Sequence, residues 1–176
     1  MKPKKILFLI REQVHDVQYG ITSGLYNSAL FVVQFLRKYG IESKLVSVVD
    51  GNDVDKQVTL FNPDIIVIEA LWVTPAKLQE LVNIKRHLHR RWIIRIHSKA
   101  PFLANEGMAT SWIRDYCRIQ SSRIFLAPNT SELTAQLKSA FPNGKFITLP
   151  NLYKFEEKQF NTKKKNDFVD VGCFGA

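Results

Sequence analysis

A chain of 176 residues is long enough for one full domain with a real core and too short for two of ordinary size. A hydrophobic content of 45% and an aromatic share of 11% exclude a disordered chain, and no apolar run approaches the roughly 18 residues that a membrane span needs. The net charge of +9 fits a nucleic acid, an anionic membrane surface or a phosphate-bearing substrate, or else a solvated basic surface without a specific partner.

The N-terminus, MKPKKILFLI, opens like a short signal segment, but its apolar run breaks at Arg11 and Glu12 and lacks a small-residue cleavage site. It reads as a first strand over Lys5 to Ile10, buried on both faces because Ile, Leu and Phe follow one another without alternation. The expected location is the cytoplasm. A polar loop with Gly20 and Gly24 follows, then an amphipathic helix with Leu25, Ala29, Val32, Val33 and Leu36 on one face and Gly40 as its stop. The stretch from Tyr19 to Gly40 thus makes a strand, glycine-bearing loop and helix. In an open parallel sheet such a loop lies at the carboxyl ends of the strands, where backbone N–H groups favour anions such as phosphate. Neither G-x-G-x-x-G nor a P-loop is present, and Gly24 could equally serve only to relieve crowding where helix meets strand.

Strand and helix then alternate. IESKLVSVVD is a second strand, and Asp50 to Pro63 holds a short polar helix or turn. DIIVIEALW gives a third strand, buried at Ile65 to Ile68. Thr74 is placed to cap a helix with Pro75 in its first turn and Leu78, Leu81, Val82 and Leu88 on its apolar face. RWIIRIHS is a fourth strand, APFLANEG a loop, and Met108 to Ile119 a helix. RIFLAPN is a fifth strand, Thr130 to Ala140 a helix ended by Pro142 and Gly144, and KFITLP a short sixth strand. The class is therefore α/β, with a Rossmann-like, doubly wound and mostly parallel sheet over residues 1–150. Residues 151–166 read as a polar linker, and DFVDVGCFGA, over 167–176, as a strand entering a glycine turn.

Polar residues just past the strand ends are the natural site candidates in such a sheet. These are Glu69 with Trp72 after it, His97 beside Ser98, Asn129 and Asn151, facing one crevice with the Gly24 loop. Each has a structural alternative: Asn129 could cap the next helix, and Glu69 could pair with a nearby arginine. His97 is the most specific, because a strand-end imidazole can meet a sugar hydroxyl or a developing charge near neutral pH. His15 lies in the first loop and could reach the crevice; His87 and His89 sit in a basic helix end and read as solvated. Basic clusters at Lys2, Lys4 and Lys5, at Lys85, Arg86, Arg90 and Arg91, and at Lys163 to Lys165 carry the excess charge. No zinc-finger, RRM or heptad pattern, no nucleophile elbow and no metal-ligand spacing accompanies them, and Cys117 and Cys173 read as buried free thiols.

The loop sequence SGLYNSALFVVQFL, the strand ending IRIHS, the loop PFLANEG and the closing VGCFGA together resemble the GT-B glycosyltransferases, and most closely the retaining, family 4-like group. The resemblance spans the chain as that fold's N-terminal lobe, a linker, and the first strand of a C-terminal donor lobe. It implies an enzyme that transfers a sugar from a nucleotide-sugar to a sugar or anionic acceptor. By resemblance, Ser23 and Gly24 approach the donor diphosphate, although Ser23 departs from the family's frequent Gly-Gly pair. His97 matches the histidine that contacts the transferred sugar, and Asn151 the asparagine near the interlobe hinge. The donor-lobe arginine, lysine and glutamates have no counterpart here, so the chain alone is expected to be inactive. No metal or other cofactor is implied beyond the nucleotide-sugar co-substrate. The basic clusters could meet an anionic acceptor or a membrane surface, and no specific nucleic acid is expected. The alternative is a stand-alone Rossmann-like binding or regulatory domain without catalysis.

Overall fold

The computed structural model describes residues 5–12 and 24–153. Five strands, β1 (Lys5–Arg11), β2 (Glu42–Val48), β3 (Ile65–Ile68), β4 (Arg91–Ile96) and β5 (Ile124–Pro128), form one sheet in the order β2-β1-β3-β4-β5. Every pairing is parallel. The expected α/β, doubly wound class is therefore what the chain adopts. The central strands are apolar runs because both of their faces are covered.

Six α-helices connect them: α1 (Gly24–Lys38), α2 (Asp53–Phe61), α3 (Pro75–Asn83), α4 (Ala100–Asn105), α5 (Ala109–Arg118) and α6 (Ser131–Ala140). The side chains of each strand alternate between two cores. Leu7, Leu9, Ile66, Ile68, Trp92, Ile94 and Leu126 pack with Val58 of α2, Leu81 of α3, Ile113 of α5 and Leu133 of α6. Ile6, Phe8 and Val67 turn the other way, against Val33 and Leu36 of α1. This split follows from the strand order: the step from β1 to β2 runs opposite to every later step, and right-handed crossovers then place α1 across the sheet from the other helices. On the α1 face an apolar hollow of about 230 Å³ remains between Val32, Ile65, Ile93 and Pro150.

The helix ends obey local chemistry. Gly40 takes φ +74°, and the amides of Gly40 and Ile41 bond back to the carbonyls of Arg37 and Leu36, a Schellman closure of α1. Thr74 Oγ1 accepts from Lys77 N at 3.2 Å, with Pro75 opening α3. Thr130 caps α6 in the same way through Leu133 N. The sixth strand is shorter than expected. It is an extended segment bridged to β5 at Leu126 and Phe146, with backbone bonds from Leu126 N, Ile147 N and Leu149 N.

Three expectations are corrected. The segment APFLANEG is not all loop, since Ala100–Asn105 forms α4 with Pro101 in its first turn, where a missing N–H costs nothing. Leu88 does not line the α3 face; α3 ends at Asn83, a 3₁₀ turn over Lys85–His87 follows, and Leu88 is 49% exposed. His87 is not solvated but fully buried, with Nε2 2.7 Å from Asp55 Oδ1 and Nδ1 accepting from Arg90 Nε at 3.2 Å. Arg90 is buried too and donates to Pro63 O and Asn62 Oδ1, while Arg86 pairs with Asp55. His87 and Arg90 are therefore held inside the fold, while Lys85, Arg86, His89 and Arg91 remain exposed. The strand expected over 167–176, with Cys173, Ser23, His15 and the clusters at Lys2, Lys4 and Lys163 to Lys165, lies outside the described residues. Cys117 is free and half-buried, its thiol pushed up to about 11 by burial.

The His87 cluster makes the fold sensitive to acid. Burial, with the charges of Arg90 and Arg86, holds His87 below its ordinary 6.5 against the opposing hydrogen bond to Asp55. Burial acts to raise Asp55, but hydrogen bonds from His87 and Arg86 and their charges leave it below 3.8. Both groups bind fewer protons folded than unfolded. Their stabilisation is complete above 6.5, falls first as His87 is forced to charge, and falls further below 3.8 as Asp55 protonates. The urea midpoint should therefore be lower at about pH 5.5 than at about pH 7.5. His87→Gln should flatten that difference, and an unchanged slope in the variant would assign the acid sensitivity elsewhere.

Candidate functional site

The chain leaves β1 toward β2 and, after α2, crosses to β3 on the other side of β1. The step from β1 to β2 and the later steps thus run in opposite directions, and in open α/β sheets ligands bind at such a switch point, at the carboxyl ends of the strands. Around this rim stand Glu12 after β1, Glu69 and Ala70 after β3, His97 and Ser98 after β4, and Asn129 after β5.

Glu69 continues the ladder one step beyond β3, its N–H bonding to Leu9 O at 2.9 Å. By the period of two its carboxylate lies on the face of Ile65 and Val67, the α1 side. The register Ile68 with Ile94 then sets Glu69 beside Arg95, and His97 follows Arg95 on the same face. These three side chains meet. Glu69, fully buried, has Oε1 3.5 Å from Arg95 Nη1 and Oε2 2.8 Å from His97 Nε2. Arg95 is itself buried and extends the network to the departing chain. Its Nη2 donates to Leu149 O at 3.1 Å, Pro150 O at 3.5 Å and Asn151 Oδ1 at 2.8 Å. From the opposite side Asn129 Nδ2 donates to His97 O at 3.0 Å.

The chemistry follows from this wiring. A buried carboxylate is tolerated because a guanidinium and an imidazole share it. An ionised Glu69 can only accept, so the ring hydrogen of His97 is assigned to Nε2. That leaves Nδ1, which has no partner among the described residues, on a side chain 18% exposed. Nδ1 accepts from a hydroxyl when the ring is neutral and donates to an anion when it is protonated. A carboxylate behind a histidine fixes the orientation of its ring.

The backbone carries a matching feature. Ala70 has φ 71°, the left-handed region that a residue with a Cβ enters at a cost of roughly 1–2 kcal/mol. Strain of this kind collects at ligand sites, where the surroundings impose it. Ala70→Gly should stabilise the fold by about 1 kcal/mol or slightly less, after glycine's own entropy loss. Denaturant unfolding measures this, and a destabilised variant would show that the Ala70 methyl packs productively.

The candidates from the sequence thus divide. Glu69, His97, Asn129 and Asn151 belong to one network, joined through Arg95. Asn129 is not a helix cap, since Thr130 holds that position and the Asn129 amide holds the His97 carbonyl instead. Gly24 begins α1, and among the described residues a Cβ added there meets nothing within 4 Å, so crowding against them does not explain it. Its neighbour Ser23 lies outside the described residues. Arg95 is the residue that sequence reasoning missed. Its signal was a charge inside an otherwise apolar strand, two positions before His97. Among the described residues no group of three or more His, Cys, Asp and Glu side chains could hold a metal ion, and no helix is long and apolar enough to cross a membrane.

No protein-family model matches the chain, and no curated protein matches it in sequence.

Proposed function

We propose that this chain is the acceptor-side lobe of a two-lobed glycosyltransferase of the GT-B, family 4-like kind, which moves a hexosyl-type sugar from a nucleotide-sugar to a sugar or anionic acceptor. The observation that carries the reading is His97, a partly exposed imidazole at the switch-point crevice, held from behind by the buried Glu69 carboxylate. Its Nδ1 is suited to meet a hydroxyl of the transferred sugar. The amides around Ser23 and Gly24 would face the donor diphosphate, and the donor lobe would supply the cations that stabilise it as it leaves. The chain's residues bind and orient; the reaction needs both lobes. No metal takes part in this scheme, and the exposed basic residues would favour an anionic acceptor or membrane surface.

A second reading has its own support. The order β2-β1-β3-β4-β5 is that of flavodoxin-like domains, which bind phosphorylated ligands at the same switch point without a second lobe. The intact mass of the protein from its native cell separates the two. A mass near twice 20.3 kDa, with transfer or hydrolysis of a nucleotide-sugar by that protein, is expected for the transferase. A mass equal to this chain, with phosphate-compound binding and no turnover, would replace it by the binding domain.

A further inference from the structure

We propose that Arg95 is a positioning residue that couples the path of the chain leaving the sheet, at residues 149–151, to the orientation of the His97 imidazole. One planar guanidinium serves two elements: Nη2 reaches three oxygens of Leu149, Pro150 and Asn151, and Nη1 faces Glu69 Oε1 at 3.5 Å. Its two ends cannot turn independently, because the fork is rigid. Both Arg95 and Glu69 are shut away from solvent, so water cannot replace a partner that moves. A change in the direction of the exit segment therefore pulls the cation along the carboxylate. The other oxygen of that carboxylate holds His97 Nε2 at 2.8 Å.

The balance of contacts favours such a relay over a static brace. Arg95 Nε is buried without an acceptor, while Nη2 is shared among three. The fork is turned toward 149–151 at the expense of its own third donor direction. Asn151 makes the shortest of these bonds, at 2.8 Å. This coupling rests on the reading of His97 as the ligand-facing group. Its test reads the imidazole directly and uses no sugar transfer, so the two can fail separately.

The test is ring-nitrogen NMR of the full chain labelled in its 4 histidines, with His97 assigned by His97→Gln. Asn151→Ala removes an acceptor of Arg95, and Asn151 has no hydrogen bond to His97. The His97 ring signals should nevertheless shift in Asn151→Ala, with the methyl signals of Ile66 and Leu126 unmoved as a control for folding. In Arg95→Lys the charge beside Glu69 remains but the fork is gone, so adding Asn151→Ala there should leave His97 where Arg95→Lys alone put it. His97 signals unmoved by Asn151→Ala, or moved equally on both backgrounds, would overturn the coupling and leave Arg95 as a structural ion-pair partner.

Discussion

Glu69→Ala should lower the stability of the fold by about 3–5 kcal/mol, the cost of leaving a buried charge without its partner. The carboxylate is fully buried, and Arg95 beside it is 3% exposed. Removing Glu69 leaves the guanidinium with neutral acceptors only, at Leu149, Pro150 and Asn151. The buried cation cannot turn to bulk water without disturbing the sheet. A typical domain is held by about 5–15 kcal/mol, so the loss takes a large share of what exists. Glu69→Gln keeps the volume and an acceptor for Arg95, and should fall between wild type and Glu69→Ala. Urea unfolding of the three proteins tests the ranking. A Glu69→Ala variant as stable as wild type would mean that the hydrogen bonds to the exit segment alone compensate Arg95.

His97→Ala is expected to show the opposite profile: little change in stability and a turnover about 100-fold lower or worse in the complete, two-lobed protein. The side chain is partly exposed and belongs to neither apolar core, so its truncation opens a polar niche rather than a cavity among methyl groups. The chemical loss is larger, because Nδ1 has no partner among the described residues and sits on a partly exposed side chain. His97→Gln, which can place an amide near the same point, should recover part of the activity. Turnover should be measured with a nucleotide-sugar at saturation, so that a loss in binding is not mistaken for a loss in rate. Unchanged turnover in His97→Ala would remove the imidazole from the mechanism.

The layers of the fold were legible because its strands are short apolar runs and its helices carry local stops and starts. Thr74 with Pro75 and Gly40 acted as written in the chain, whereas α6 is capped by Thr130 and not by Asn129. The failures share a cause. APFLANEG read as a loop, yet proline is suited to a first helical turn, and the six residues Ala100–Asn105 form α4 with Pro101 in that turn. His87, set among basic residues, looked solvated; the 3₁₀ turn carries it inward to Asp55, 32 positions away. For the site, the strand-end residues Glu69 and His97 were visible as polar stops to apolar runs. Their contact, and the part of Arg95 in it, depends on the register of β3 against β4, a long-range property that no local pattern encodes. Strand order is of the same kind, since alternation of strand and helix does not say that the second step reverses direction.

That reversal has a consequence for synthesis. β1 leaves the ribosome before both of the strands that flank it, and their sequences arrive at different times: Glu42–Val48 first and Ile65–Ile68 later. Until residue 68 has emerged, a nascent chain can pair only one edge of β1. The other edge, along Ile6 to Leu9, stays open to whatever is nearby, a recognised route to misassembly. The four residues of β3 therefore act as the closing piece for a strand made about sixty residues earlier.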